Sequence, residues 1–412
     1  MGSELKKWSS EEWVDTNWGE LVELRYGKGL KDYKHKTDGF PVYGTNGPVG
    51  FTEAPLCPFP SVIIGRKGAY RGVHFSNKPF YVIDTAYFVE PKFDLNMKWV
   101  YFQLLTQDIN ALDSGSAIPS TRREDVYALS VKVPPRNVQN LIVQQLSSFN
   151  NKITLNNQIN QTLEQMAQTL FKSWFVDFDP VKAKMNGEQP KGMDVTTASL
   201  FPEKLVESEL GLIPKGWEAS CMGEHFKITM GQSPKGETYN EDGEGIAFFQ
   251  GRRDFGFRYP DVRVYTTDPK RYAKAGDTLI SVRAPVGDKN MASIDCCIGR
   301  GIGAIKHNSD SRSFTYAFMS HIEKKLGDNG SSGTLFNSIN LKELKKVPFI
   351  TPSQELVEAF HNLVEPIDQK IEVLSKEIDS LSQLRDTLLP KLLSGEVDLE
   401  NLPVEQAKAL AE

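Results

Sequence analysis

No run of eighteen apolar residues occurs in the 412 residues, and a membrane-spanning helix needs about that many. The opening MGSELKKWSS has no apolar signal-peptide core. Cysteine is scarce: Cys57, Cys221, Cys296 and Cys297 show no CxxC spacing, which argues against a zinc site and suggests the reduced thiols of a cytoplasmic protein. The six histidines form no HExxH or other ligand spacing. Excess positive charge is also missing: 48 Lys and Arg face 53 Asp and Glu, for a formal net charge of −5. On net charge alone the chain does not read as a nucleic-acid binder.

Catalytic signatures are absent in the same way. No NPPY- or DPPY-like motif occurs, and GRGIGA fails the dinucleotide-loop spacing. PDVRVYTTDPK places Asp261, Asp268 and Lys270 too loosely for a metal-dependent nuclease, and a hairpin with turn residues explains it better. No catalytic residue, metal ligand or cofactor is therefore expected in this chain.

The charge that is present is segregated. RYGKGLKDYKHK and GRRDFGFRYPDVR are basic with aromatics between the charges, and the tail 395–412 is acidic. Apolar strands such as YVIDTAYFV alternate with a short helix after Met97, which predicts mixed α/β domains.

Near the middle, Ile153, Asn156, Asn160, Leu163, Ala167, Leu170 and Trp174 are spaced 3-4-3-4-3-4, the pattern of a coiled-coil strand. Its partner lies 218 residues on. Ile371, Leu374, Ile378, Leu381, Arg385, Leu388 and Leu392 repeat the spacing. The same shift aligns Ser120 with Ser338 and Pro134 with Pro352, an ungapped match running from globular sequence into helix. Further upstream the register slips by about one, setting Arg66 on Arg283, and Trp18 and Trp217 open the two halves. The chain thus reads as an internal repeat: a globular segment at 1–136, a helix at 137–180 capped by Asn137, a linker at 181–216, a second globular segment at 217–352, a second helix at 353–394, and the tail.

LEQMAQTLFKSWFVDFDPVKAKMNG, SELGLIPKGWE, FPVYGTNGPVGF and LRDTLLPKLLSGEVDL resemble the specificity subunit of type I restriction-modification systems, from about Trp18 to Leu399. The resemblance implies an α/β fold with two mixed α/β target-recognition domains. Two long helices would join them as an antiparallel coiled coil in a pseudo-twofold internal repeat. It also implies that each domain reads half of a bipartite asymmetric DNA site. The helices would set the spacing and dock two methyltransferase subunits. Restriction subunits would complete the complex, and S-adenosylmethionine, ATP and Mg would belong to the partners. Two other readings stay open: the DNA-reading subunit of a related methylation or phage-defence complex, and a coiled-coil scaffold that binds no DNA.

DNA recognition needs cations for phosphates and forked or amide donors for base edges. The first half offers Lys28, Lys34, Lys36, Asn46, Arg66, Lys67, Tyr70, Arg71, Ser116, Ser120 and Arg122. The second offers Gln250, Arg252, Arg253, Arg258, Arg283, Ser331, Ser332 and Asn337. The basic loops differ between the halves while the helices match, as two different readers on one frame would.

Overall fold

The computed structural model describes residues 12–112, 119–328, 338–397 and 399. The chain forms two compact units, Met1–Leu155 with Ile378–Glu412, and Asn156–Glu377. The division falls inside both long helices rather than at the segment boundaries read from the sequence.

In the first unit, β1 (Val14–Asn17) leads through the single-turn α1 (Trp18–Leu21) into β2 (Val22–Tyr26). There follow β3 (Phe40–Gly44), β4 (Gly47–Thr52), β5 (Ser61–Gly65), β6 (Val73–Ser76), β7 (Tyr81–Val82) and β8 (Ala86–Pro91). Helices α2 (Met97–Leu105) and α3 (Arg123–Ala128) precede β9 (Ser130–Val133) and the long α4 (Arg136–Phe175). The main sheet has the order β2-β8-β5-β6, and a smaller one the order β4-β3-β7. Strand β5 is apolar without alternation because it is buried on both faces. Val62 and Ile64 point into a core with Trp18, Trp99 and Leu146, while Ile63 points into a second core with Phe80 and Val82.

The second unit repeats this plan. After α5 (Asp179–Met185), α6 (Val195–Ser199) and the hairpin β10 (Leu205–Ser208) with β11 (Gly211–Pro214), it runs β12 (Glu218–Cys221), α7 (Met222–His225) and β13 (Phe226–Met230). Strands β14 (Tyr239–Asn240), β15 (Ile246–Phe249), β16 (Tyr265–Thr266), β17 (Tyr272–Ala273), β18 (Thr278–Ser281), β19 (Lys289–Met291), β20 (Cys296–Ile298) and β21 (Ile302–His307) follow. Then come α8 (Arg312–Asp328), α9 (Leu341–Lys345), β22 (Pro348–Thr351) and the long α10 (Gln354–Ser394). The sheet order β13-β21-β18-β19 matches β2-β8-β5-β6 strand for strand.

Three expectations need correction. The segment 181–216 is no free linker: Val181, Ala198, Phe201 and Ile213 are buried, and Phe201 packs edge-on to Trp174 with 5.2 Å between ring centroids. Helix α4 starts at Arg136, so Asn137 lies inside its first turn rather than capping it. It ends at Phe175, and Pro180 instead sits in the first turn of α5, where its missing N–H costs nothing.

Within each unit the long helices run antiparallel. In the second, Asn156 donates to Glu377 Oε2 (3.0 Å) and Asn160 to Ser375 Oγ (3.4 Å). In the first, Arg385 donates to Asn150 Oδ1 (3.0 Å). Each polar seam residue thus has a polar partner off the seam on the facing helix. Among the apolar ones, Trp174, Ile371, Leu374 and Leu392 are buried; Ile153, Leu163, Leu170, Ile378, Leu381 and Leu388 are half-buried.

Arg258 was expected at DNA and is instead 2% exposed in the second unit. Its guanidinium bridges Glu164 of α4 and Asp368 of α10 and lies 3.5 Å from the centroid of the Tyr316 ring. Arg258→Ala leaves two carboxylates without their cation in a buried site, so it is expected to destabilise the unit by about 3–5 kcal/mol. Replacing Arg258, Glu164 and Asp368 together by Met, Leu and Leu is expected to recover most of that. Urea unfolding of the full chain measures both, and a triple variant no more stable than the single one overturns the assignment.

His307 is buried against Phe226, Phe314 and Phe349, with His225 nearby. Burial pushes its imidazole down to about 4, and His225 pushes the same way. The folded unit therefore prefers the neutral ring. That contribution is complete above the ordinary value of about 6.5 and is lost as pH falls from there to about 4, on the order of 3 kcal/mol in all. His307→Phe is expected to flatten the stability profile between pH 6.5 and 4, in a window set by the same shift. An unchanged slope in denaturant titrations across that window contradicts this.

Candidate nucleic-acid interface

In the first unit, five chain segments meet at the ends of β2, β3 and β5. Thr45, in the tight β3–β4 turn, donates through Oγ1 to the carbonyls of Lys67 (2.8 Å) and Thr85 (2.9 Å). The Asn46 amide lies against the carbonyls of Thr45 and Tyr70, and its nitrogen can donate to both. The Lys28 N–H donates to the Val82 carbonyl (2.9 Å). Lys67 bridges to Ser120, and Thr121 N–H donates to the Arg66 carbonyl (2.9 Å). Lys28, Asn46, Lys67, Tyr70 and Arg122 are exposed along this edge.

The site also contains a group that the sequence reading passed over. Tyr26, at the end of β2, is 46% exposed. The Arg66 guanidinium lies 4.9 Å from its ring centroid and that of Arg123 lies 4.6 Å from it. Its signal in the sequence was its place in the basic, aromatic run RYGKGLKDYKHK, which does not show that Arg66 and Arg123 gather on it.

Arg71 belongs to the fold rather than to the edge. It is buried, and its guanidinium donates to the carbonyls of Gly68 (3.0 Å) and Asn110 (2.8 Å). Lys34 and Lys36 are exposed, and Lys36 is paired with Glu53 at 2.7 Å. Ser116, Ser331, Ser332 and Asn337 lie outside the described residues.

The second unit builds the same edge with other side chains. Gln232 N–H donates to the Ile298 carbonyl (2.9 Å), as Lys28 does to Val82. Gly299 N–H donates to the Phe249 carbonyl (2.8 Å), as Ile83 does to Tyr43 (3.0 Å). Arg252 therefore stands where Asn46 stands, and Arg300 where Asp84 stands. Arg283 bridges to Ser338, and Ile339 N–H donates to the Val282 carbonyl (3.0 Å). So Arg283 is the counterpart of Lys67, and Arg66 is matched by Val282. The expected pairing of Arg66 with Arg283 is one residue out. Likewise Trp18 N–H donates to the Leu129 carbonyl and Met222 N–H to the Val347 carbonyl. Trp18 is thus the counterpart of Met222 rather than of Trp217.

The frame leaves no room for variation at the crossing points. A Cβ on Gly27 would lie 2.0 Å from the Ile83 carbonyl oxygen, and one on Gly231 would lie 2.1 Å from that of Gly299. Gln250, Arg252, Arg253, Arg283 and Arg300 are exposed. Arg252 is paired with Asp288 at 2.6 Å, whereas Arg253 has no ion-pair partner among the described residues. Among the described residues, no cluster of three His, Cys, Asp or Glu could hold a metal, and no helix is long and apolar enough to cross a membrane.

Residues 10–165 and 214–383 match the family described as the type I restriction modification DNA specificity domain. The chain belongs to that family. It is a type I restriction-modification specificity subunit, the recognition component of such a system rather than its catalyst. The putative type I restriction enzyme MjaX specificity subunit of Methanocaldococcus jannaschii is 34% identical over 284 residues, 68% of this chain and 61% of that relative. The chain thus spans about three-fifths of that protein. The type I restriction enzyme HindI specificity subunit of Haemophilus influenzae is 29% identical over 382 residues, covering 77% of this chain and 81% of the relative. A solved type I restriction-modification S subunit from M. genitalium shares the fold, with a TM-score of 0.60 at 18% identity over 95% of this chain and 98% of that one.

Proposed function

We propose that each unit of this specificity subunit reads one half of a bipartite, asymmetric DNA site. The observation that carries this is the matched edge: at equivalent backbone positions, Lys28, Asn46, Lys67 and Asp84 face Gln232, Arg252, Arg283 and Arg300. Asn pairs with adenine edges and Arg with guanine edges, so different half-sites follow from different side chains on one frame. Lys67 and Arg283 sit in the same bridged turn and suit phosphate.

The partners follow from the same reading. Methyltransferase subunits, two because the helical frame is repeated, would dock on the long helices, with restriction subunits completing a cytoplasmic complex. S-adenosylmethionine, ATP and Mg would be held by those partners. The two paired helices would set the number of unspecified bases between the half-sites. Ile153 to Trp174 rises roughly 30 Å, close to the 34–36 Å of one DNA turn.

Methylated bases mapped in cells expressing this chain with its methyltransferase partner are expected to show a two-part site. Asn46→Ala is expected to relax the first half only and Arg253→Ala the second half only, each by about 1–3 kcal/mol if a base contact is lost. A first-unit substitution that changes preference only in the second half rejects the assignment. Inserting seven residues into both long helices adds about 10.5 Å and is expected to widen the gap by a few base pairs with both half-sites unchanged. An active variant that keeps the original gap rejects the spacing role.

A further inference from the structure

We propose that Arg66, Tyr26 and Arg123 form a phosphodiester clamp that only the first unit possesses. The proposal rests on the DNA reading above and adds to it an unequal division of electrostatic work between the two halves.

Both guanidiniums are held to one ring, 4.9 and 4.6 Å from its centroid. Tyr87 backs Tyr26, with centroids 5.1 Å apart, and itself lies 5.9 Å from the Arg66 guanidinium. Arg66 is fixed further by donating Nη1 to the Asp84 carbonyl (3.0 Å). Neither arginine has a carboxylate partner among the described residues, and the Arg123 Nε is buried without any hydrogen-bond partner. Most other arginines in the two units are satisfied: Arg25 by Glu90, Arg258 by Glu164 and Asp368, Arg312 by Glu365 and Glu372.

Two cations gathered around one aromatic ring repel each other. The Debye length is about 8 Å at physiological salt, so bulk ions screen that repulsion only partly. A ring face returns about 0.5–1 kcal/mol per cation at an exposed site, less than a carboxylate-paired, buried arginine receives. What remains is two pre-oriented forks of donors with no anion between them. The ring holds both guanidiniums in place, and Arg66 is held by the Asp84 carbonyl as well, so less side-chain freedom is lost when a phosphate arrives. A phosphodiester supplies the missing negative charge and accepts from both forks.

The second unit has the same three backbone positions and none of the chemistry. Tyr26 closes β2 opposite Tyr87, as Met230 closes β13 opposite Gly303. Arg66 is matched by Val282, and Arg123, the first residue of α3, is matched by Leu341, the first residue of α9. An apolar trio stands where the first unit carries the stack.

The test is the salt dependence of binding. The full chain with its methyltransferase partner is titrated onto a duplex carrying the mapped site, between about 50 and 200 mM salt, with duplexes altered in either half as competitors. Arg123→Gln is expected to lower the slope of log K against log salt by about one and to weaken all duplexes alike. Tyr26→Phe keeps the ring and is expected to bind as the parent does. Tyr26→Leu frees both arginines and is expected to weaken binding several-fold without changing base preference. An unchanged slope in Arg123→Gln and Arg66→Gln, where Lys67→Ala does lower it, overturns the clamp and leaves the DNA reading standing. A changed preference at one base pair also overturns it, because the contact is then to a base edge. If Lys67→Ala, Arg253→Ala and Arg283→Ala leave binding untouched as well, the DNA reading falls with the clamp.

Discussion

A single buried guanidinium organises the second unit. Arg258 takes Glu164 from one long helix and Asp368 from the other, so the helices are held to each other and to the domain through one side chain. Burial works against its charge, and the facing Tyr316, Asp368 and Glu164 more than offset it. Arg312 adds a second tie through Glu365 and Glu372, and Lys289 pairs with Glu323. Ionic contacts of this kind contribute little net stability compared with apolar packing, but the Arg258–Asp368 pair tolerates no shift of register, since a displaced partner becomes an unpaired buried charge.

The first unit has an apolar core around its helices, as the second does, but ties them with amides rather than buried ion pairs. Leu388, Leu389, Leu392 and Leu393 join Val138, Ile142 and Leu146 in one apolar core with Trp18 and Trp99. Amides complete the attachment: Gln139 donates to the Pro134 carbonyl and accepts from Asn96, and Gln103 donates to the Leu393 carbonyl. The repeat therefore keeps the topology and the backbone crossings and packs the helices into an apolar core in both units, adding buried ion pairs in the second and amide hydrogen bonds in the first.

This division explains what could be read from the sequence. The helices and the repeat were legible because heptad spacing and a 218-residue shift are periodic signals, and periodicity survives without knowledge of contacts. The basic loops at Asn46 and at Arg252 were also recognisable as candidates. That they occupy one structural position was not, because the second half carries extra residues, most of them between β15 and β18, and the register there is set by backbone hydrogen bonds. Arg258 and Arg71 were misread for a related reason. An arginine in a Gly-rich, aromatic run looks the same whether its partner is solvent, a phosphate or a carboxylate more than ninety residues away. Tyr26 escaped notice because its importance comes from two arginines separated from it by 40 and 97 residues. The polar, Gly- and Pro-containing stretch at 181–216 read as a linker because its few apolar residues are widely spaced, yet Val181 and Phe201 fill places in the aromatic core with Trp174 and Phe175.

The closure of the first unit by the far end of the chain has a consequence for biosynthesis. Gln103 and Leu393 are hydrogen-bonded across 290 residues, and the core around Trp18 is incomplete without Leu392 and Leu393. The second unit, by contrast, is one continuous stretch of chain from Asn156 to Glu377. As the polypeptide leaves the ribosome, the later-encoded unit is the first to have all its parts. The earlier one must wait, with β5 and its neighbours exposed, until the last turns of α10 emerge. A released chain truncated before Leu392 would carry a complete second half and an open first half, the reverse of the usual amino-to-carboxyl order of domain folding.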